Sequence, residues 1–160
     1  MFRAANENGM ALAIHTRASF SAEHPYGAEQ ARAFLDELLP EVPDVPVQIA
    51  HLGGSGPGYD DPQAVAFMDV LAEAVERGDP RTARLWVDVT SIVTLDAPPA
   101  ELAQIAARLR QLGIDRVLFG SDAATGVDTM PRARWAAFRR LPLTDEEFHQ
   151  IAANVATYMR

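Results

Sequence analysis

Cysteine is absent from the 160 residues of the sequence. Its absence excludes disulfide bonds and metal sites built from thiolates, and it is compatible with the cytoplasmic location that we expect. Long apolar runs are missing as well, because none approaches the roughly 18 residues that a membrane-spanning helix needs. The first residues, MFRAANENG, lack the apolar segment of a signal peptide. We therefore expect a protein that neither crosses a membrane nor carries a secretion signal.

Positive charge is scarce. The sequence has 14 basic residues against 22 acidic ones, which gives a formal net charge of −8. Nucleic acid is therefore not expected as the main partner, since phosphate backbones are bound by basic faces. A small-molecule substrate, even an anionic one, stays compatible because a local positive charge can oppose the net charge. Apolar residues make up 48% of the chain, which is typical of a globular protein, and we expect residues 1–160 to form a single domain.

Four short apolar runs are present, and each is followed by a loop and a helical pattern. They are rich in Val, Ile, Leu or Phe, which is typical of strands buried in a parallel sheet. The runs are MALAIHT (10–16), VPVQIAHL (45–52), ARLWVDVT (83–90) and DRVLFGSD (115–122). Strands that alternate with helices predict βαβ units and therefore an α/β fold with a parallel sheet.

The segments between the runs have helical patterns. Asp61 and Pro62 are a typical cap and first helical residue, and Thr144 with Glu147 forms a capping box. The predicted helices cover 27–39, 61–77, 99–112, 131–140 and a final stretch that begins at Thr144. The apolar sides of the first and last helices are predicted from the spacing of Phe34, Leu35, Leu38 and Leu39 and of Phe148, Ile151 and Val155.

Polar residues occupy the carboxyl ends of all four runs. Because the carboxyl ends of parallel strands meet at one edge of the sheet, where α/β proteins place their chemistry, we expect these residues to lie together. Imidazole and carboxylate are ligands that a divalent metal such as zinc accepts. Gly53 and Gly54, after the second run, would let the backbone pass close to a substrate. The polar residues are His15, His51, Asp88 or Thr90, and Asp122.

Ordinary structural roles are open for the same residues. His15 could be hydrogen-bonded to a loop, and Asp122 could cap the turn that follows Gly-Ser. Arg17, just past the first run, could bind a substrate carboxylate or be a charge at the rim of the site. Asp88 and Thr90 could support the site or simply pack.

The motifs AIHTR (13–17), IAHLGG (49–54) and LFGSD (118–122) occur in this order and are followed by ANVATYMR (153–160). With these motifs at strand–helix spacing, the sequence resembles the C-terminal half of the amidohydrolase-related metal-dependent hydrolases, which have a TIM-barrel fold. The resemblance covers nearly the whole chain. It implies half of a (β/α)8 barrel, in which the four runs are strands five to eight and the C-terminal helices follow.

The resemblance also implies roles for individual residues. His15 matches a metal-ligating histidine of the family, and His51 matches the histidine that orients or activates water or acts as acid and base. Asp122 matches the aspartate that touches the metal and transfers protons. The implied cofactor is a divalent metal, zinc in the first place and manganese as the alternative. Gly53 and Gly54, with Arg17, are the predicted substrate-binding residues.

The sequence departs from the family in one important respect. The family's first strand carries a His-x-His pair that supplies two metal ligands, and none of His15, His24, His51 and His149 forms such a pair. The four runs also account for only half of the eight strands of a barrel. A half-barrel exposes sheet edges and an apolar face, which favours association. We therefore expect either a homo-oligomer or pairing with a missing N-terminal half-barrel.

The leading functional hypothesis is a metal-dependent hydrolase in which activated water attacks an ester, lactone or amide. The alternative within the family is non-oxidative decarboxylation of a small aromatic or unsaturated acid by the same ligands. A third hypothesis is an inactive half-barrel that needs a partner chain. A flavodoxin-like ligand binder is disfavoured, because the segment HTRASFSAEHP (15–25) after the first run has no glycine-rich phosphate loop.

Overall fold

The computed structural model of the protein describes residues 1–16, 26–123 and 130–159. Its centre is a four-stranded parallel sheet with strand order β1-β2-β3-β4. Each strand lies within one of the four apolar runs, so the predicted α/β fold with parallel βα units is confirmed. The strands are β1 (Leu12–Ile14), β2 (Val47–Ile49), β3 (Leu85–Asp88) and β4 (Val117–Leu118).

Six helices connect and flank the strands in the described residues. They are α1 (Phe2–Glu7), α2 (Ala28–Ala33), α3 (Pro62–Glu76), α4 (Pro99–Leu112), α5 (Pro131–Phe138) and α6 (Asp145–Ala153). Two further turns follow α2 directly. They are a π-helical turn over Phe34–Leu38 and a 3-10 turn over Leu39–Glu41. Within these ranges, no helix combines the length and the apolar character that crossing a bilayer would require.

The helix boundaries follow the capping signals in the sequence. The Asp61 carboxylate accepts the backbone N–H of Gln63 at 2.9 Å, and Pro62 is the first residue of α3. At the start of α6, the Thr144 hydroxyl accepts the N–H of Glu147 at 3.2 Å while the Glu147 carboxylate accepts the N–H of Thr144 at 2.7 Å. Both predicted caps are therefore present, and each satisfies N–H groups that a helix start leaves open.

Two predicted apolar positions are wrong. Leu38 is 39% exposed and Val155 is 40% exposed. Leu38 lies at the end of the π-helical turn, whose wider winding rotates it away from the side that Phe34 and Leu35 bury. Val155 lies beyond the end of α6 at Ala153, so the helical spacing on which its prediction rested no longer applies.

The two faces of the sheet have different environments. Ile49, Val87 and Val117 are aligned across neighbouring strands and belong to the same buried core as residues of α3 and α4. Side chains alternate between the faces of a strand, so Gln48 and Trp86, which are also aligned, point to the opposite face. We call this opposite side the inner face. It borders a cavity of about 710 Å³, to which Asp88 and Leu118 of β3 and β4 also contribute, together with residues of the C-terminal turn Thr157–Met159.

Candidate active site

The carboxyl ends of β1 and β2 bring two of the predicted site residues together. His15 follows β1 directly and is exposed, whereas His51 follows β2 and is 9% exposed. The centroids of their imidazole rings are 4.9 Å apart, and the ring planes are tilted by 60°. The two histidines come from runs that are 36 positions apart in the sequence, and the parallel pairing of β1 with β2 places them side by side.

His51 has an unusual backbone conformation. Its φ is +51°, and that of the next residue, Leu52, is +49°, so the chain makes two consecutive left-handed residues within the turn Ala50–Gly53. A left-handed conformation costs a non-glycine residue about 1 to 2 kcal/mol. The surrounding structure must therefore hold the turn in place, since neither residue favours this conformation by itself.

Asp88, the last residue of β3, holds this turn. One oxygen of its carboxylate, Oδ1, accepts the backbone N–H of His51 at 2.9 Å and the backbone N–H of Thr90 at 3.1 Å. The other oxygen accepts the side-chain amide of Gln48 at 2.7 Å. Asp88 is 6% exposed, so these hydrogen bonds replace the water that a buried carboxylate has lost.

The His51 ring is also fixed by the loop that follows β3. Its Nδ1 lies 2.8 Å from the carbonyl oxygen of Thr90 and 3.4 Å from the hydroxyl of Ser91. Gly56 passes over the same side, because a Cβ placed on Gly56 would lie 3.6 Å from Nδ1 and 2.5 Å from the Ser91 hydroxyl. Backbone and ring of His51 are therefore both held by residues 88–91, and a Cβ at position 56 would require the Ser91 hydroxyl to move.

Gly53 and Gly54 are buried, and the contacts that they permit are contacts within the protein. A Cβ on Gly53 would lie 3.0 Å from the Met68 side chain. The backbone carbonyl of Gly53 accepts a hydrogen bond from the Tyr26 hydroxyl. A Cβ on Gly54 would lie 3.3 Å from the carbonyl oxygen of His51. These glycines allow the loop to pack tightly beneath His51, and their predicted contact with substrate stays a prediction.

Asp122 lies after β4 and differs from the two histidines. It is exposed and has a φ of +58°. Among residues 1–16, 26–123 and 130–159, no three His, Asp or Glu side chains form a group that could hold a metal ion. The described residues thus offer two adjacent imidazoles but do not complete the metal site that the sequence predicts. Arg17 and His24 lie outside the described residues.

The sequence leaves Asp88 between a supporting role and simple packing, and it contains no motif that singles out Gln48 or Ser91. A signal for Asp88 was available in the run 83–90. Strand alternation places Asp88 on the same face as Trp86, which is the inner face, and a carboxylate there needs polar partners. No comparable signal identifies Ser91, whose contact with His51 depends on the path of the loop.

A parallel βα sheet that carries two imidazoles at the carboxyl ends of its strands has the architecture of part of an α/β barrel. The model of the amidohydrolase family matches residues 1–157, and the chain belongs to this family. No curated protein matches the sequence.

Two solved structures show the relation of the chain to a barrel. Amidohydrolase 2 from Bifidobacterium longum subsp. infantis superposes with a TM-score of 0.53 and 19% identity, over 94% of this chain and 49% of that protein. The 5-carboxyvanillate decarboxylase LigW from Sphingomonas paucimobilis has a TM-score of 0.52 and 19% identity, over 95% of this chain and 49% of that protein. The chain spans about half the length of each, which agrees with the predicted half of a TIM barrel.

Proposed function

We propose that the chain forms part of the active site of a metal-dependent hydrolase that cleaves an ester, lactone or amide. The observation that carries the proposal is the His15–His51 pair, with ring centroids 4.9 Å apart at the carboxyl ends of β1 and β2. Active sites of barrel enzymes lie at these strand ends, and membership of the amidohydrolase family makes hydrolysis the first reaction to test.

The proposed roles follow the chemistry of each side chain. His15 is exposed beside His51, where an imidazole nitrogen can serve as a metal ligand. His51, whose ring is fixed by Thr90, would position water or polarise the carbonyl. Asp122 is proposed as a further ligand and proton carrier. A divalent metal, zinc first and manganese second, would supply Lewis acidity, but its remaining ligands must come from outside the described residues.

Decarboxylation is the second candidate function. It is supported by the likeness to a solved decarboxylase, which covers 95% of this chain. The two reactions differ in what they release, because hydrolysis yields an acid with an alcohol or amine whereas decarboxylation yields CO₂. The products therefore distinguish the candidates without knowledge of the natural substrate.

The partner that we propose is a second (βα)4 unit that supplies four more strands. Among the described residues, β1 and β4 each pair on one side only, and the inner face borders an open cavity rather than the opposite wall of a barrel. A second copy of this chain would add four strands but also another net charge of −8, which disfavours close association. We therefore favour a complementary N-terminal half-barrel over a homo-oligomer, and sedimentation equilibrium of the purified chain distinguishes a monomer from a dimer.

Metal binding by the purified chain is the first test. Zinc is titrated into the chain, and the bound metal is measured by mass spectrometry for the wild type, His15→Ala and His149→Ala. His149 is exposed on α6 and serves as the matched control histidine. We expect zinc binding that His15→Ala weakens by about tenfold or more and His149→Ala leaves unchanged. Equal binding by the wild type and His15→Ala would contradict a role for His15.

Turnover is the second test. The zinc-loaded chain is assayed with a panel of esters, lactones and amides and, separately, for CO₂ release from small aromatic acids, with His51→Ala as the control. Hydrolysis above the level of this variant supports the leading proposal. CO₂ release without hydrolysis would replace it with decarboxylation. Activity of neither kind would show that the isolated chain is not an enzyme for these substrates.

A further inference from the structure

We propose that Asp88 is a positioning residue that fixes His51 in the tautomer with its proton on Nδ1 and leaves Nε2 as the unprotonated nitrogen. The inference concerns the same site as the proposed function. It rests on that function only for the role of His51 in the reaction. The tautomer itself follows from contacts of residues 88–91 with His51 and can be measured without substrate or metal.

A hydrogen-bond acceptor faces Nδ1 of His51. The carbonyl oxygen of Thr90 lies 2.8 Å from Nδ1, and a backbone carbonyl can only accept a hydrogen bond. Nδ1 must therefore carry a proton. The Ser91 hydroxyl lies farther away, at 3.4 Å, and can donate or accept, so it does not decide the tautomer. A neutral imidazole has one N–H group, which leaves Nε2 with a free lone pair.

Asp88 sets the distance between Nδ1 of His51 and the Thr90 carbonyl. The Nδ1 contact requires the end of β2 and the end of β3 to keep a fixed distance. Asp88 provides this link because one oxygen, Oδ1, accepts the N–H of His51 and the N–H of Thr90 together. The same carboxylate oxygen thus holds the backbone of His51, which carries the ring, and the backbone of Thr90, whose carbonyl accepts the hydrogen bond from Nδ1.

The hydrogen bonds to Asp88 offset the unfavourable backbone conformation at His51 and Leu52. Two consecutive left-handed residues, His51 and Leu52, are each in a backbone conformation that is unfavourable for a residue with a Cβ. Without the carboxylate, the N–H groups of buried His51 and half-buried Thr90 would lose their acceptor, and unsatisfied donors would destabilise the turn further. Relaxation of the turn would then be favoured, and the Thr90 carbonyl would no longer select the Nδ1 proton.

Asp88 itself is not proposed as a catalytic residue. Its carboxylate already accepts three hydrogen bonds, from His51, Thr90 and Gln48, and it is 6% exposed. It therefore acts through His51. A consequence for the proposed reaction is that neutral His51 presents a hydrogen-bond acceptor at Nε2, which favours positioning of water over donation to a substrate carbonyl.

Nitrogen NMR of the full chain tests the proposal. The histidines are labelled with ¹⁵N, and two-bond proton–nitrogen correlations are recorded near pH 8.5, about two units above the ordinary histidine pKa. The signals of His51 are assigned by their loss in His51→Gln. We expect the correlation pattern of an imidazole with its proton on Nδ1. A pattern with the proton on Nε2 in the wild type would overturn the proposal.

Three variants separate positioning from general support. Asp88→Asn keeps an acceptor oxygen for the two N–H groups, and we expect it to keep the Nδ1 tautomer. Of the three hydrogen bonds that Asp88 accepts, Gln48→Ala removes only the one to the other carboxylate oxygen, and this variant should also keep the Nδ1 tautomer. Asp88→Ala should lose the single tautomer and show a mixture of both. A folded Asp88→Ala with the wild-type pattern would overturn the role of Asp88.

The outcome stays decisive if Asp88→Ala fails to fold. Loss of the Nδ1 tautomer in folded Asp88→Asn would contradict the two-hydrogen-bond explanation, and the wild-type pattern alone tests the tautomer. Failure of the proposed function is distinguishable from failure of this inference. A chain with the expected tautomer but no zinc-dependent turnover rejects only the function, whereas an active chain with the proton on Nε2 rejects only the inference.

Discussion

The middle and the edges of the sheet differ in how completely they build the candidate site. At the ends of β2 and β3, His51 is buried and held by Asp88 and Thr90 through backbone and ring. At the ends of β1 and β4, His15 and Asp122 are exposed. β2 and β3 have strand neighbours on both sides, whereas β1 and β4 each have one within the described residues.

This difference indicates which part of the site the chain can preorganise alone. A side chain between two paired strands can be fixed by residues from its neighbours, as His51 is fixed by residues 88–91 of β3 and the loop that follows it. A residue at an edge strand lacks one set of neighbours, and its geometry depends on what pairs with that edge. The proposed second (βα)4 unit would therefore act mainly on His15 and Asp122 and leave the environment of His51 unchanged.

The largest expected effect comes from breaking the middle of the site. Asp88→Ala removes the acceptor of the backbone N–H groups of buried His51 and half-buried Thr90 and of the Gln48 amide. Because each unsatisfied buried donor costs about 1 to 3 kcal/mol, we expect the free energy of unfolding to fall by about 3 kcal/mol. Urea denaturation followed by circular dichroism measures the change.

Asp122→Ala is the matched variant at the edge. Asp122 is also an aspartate that follows a strand, but it is exposed, so we expect Asp122→Ala to lower the free energy of unfolding by clearly less than Asp88→Ala. If both aspartate variants lowered the free energy of unfolding equally, the contrast between the middle and the edges of the site would be wrong.

The next effect concerns the loop that covers His51. Gly56→Ala introduces a Cβ at a φ of +52° and 2.5 Å from the Ser91 hydroxyl, whereas Gly78→Ala has a similar φ of +68° and no atom within 4 Å. Both variants incur the left-handed penalty of about 1 to 2 kcal/mol. We expect Gly56→Ala to cost about 1 kcal/mol more because it overpacks a buried site.

The double variant Gly56→Ala/Ser91→Ala identifies the source of the additional cost. After removal of the Ser91 hydroxyl, the nearest Ser91 atom to the new Cβ is the Ser91 Cβ at 3.5 Å, an ordinary contact. The additional cost of Gly56→Ala should therefore disappear in the Ser91→Ala background, as a double-mutant cycle in urea would show. An unchanged difference would mean that the loop does not pack on Ser91 as described.

The sequence was sufficient for the order of strands and helices because those features depend on local patterns. Asp61 before Pro62 and the Thr144–Glu147 pair mark helix starts through contacts within three residues, and both caps are present. The adjacency of His15 and His51 also followed from their positions at consecutive parallel strand ends.

The remaining features depend on contacts between distant residues. The bonds from Asp88 to the His51 backbone and to Gln48 join positions 37 and 40 residues apart, and no local pattern encodes the left-handed turn at His51. Likewise, the π-helical turn that exposes Leu38 is a departure from the regular period on which the prediction relied. The metal-binding roles of His15 and Asp122 stay predictions, since the described residues contain no group of three side chains that could hold a metal ion.

The smallest expected effect lies at the opposite end of β3 from the site. Asp79 accepts hydrogen bonds from the Arg81 backbone and guanidinium, at 3.0 Å and 2.6 Å, which lower the pKa of its carboxyl to about 2. Arg81 is well exposed, so solvent weakens the pair and we expect a contribution to stability smaller than any of those above. Asp79→Asn, which keeps a capping oxygen, should lower the free energy of unfolding by this small amount near pH 6.

The pH dependence of this variant follows from the direction of the shift. Because the folded pKa of Asp79 lies below its ordinary value of 3.8, the stabilisation is complete above about pH 5 and is lost as the pH falls towards 2. The difference between wild type and Asp79→Asn in urea denaturation should therefore shrink between pH 5 and about pH 3. A difference that stayed constant over this range would assign the effect to the cap instead of the charge.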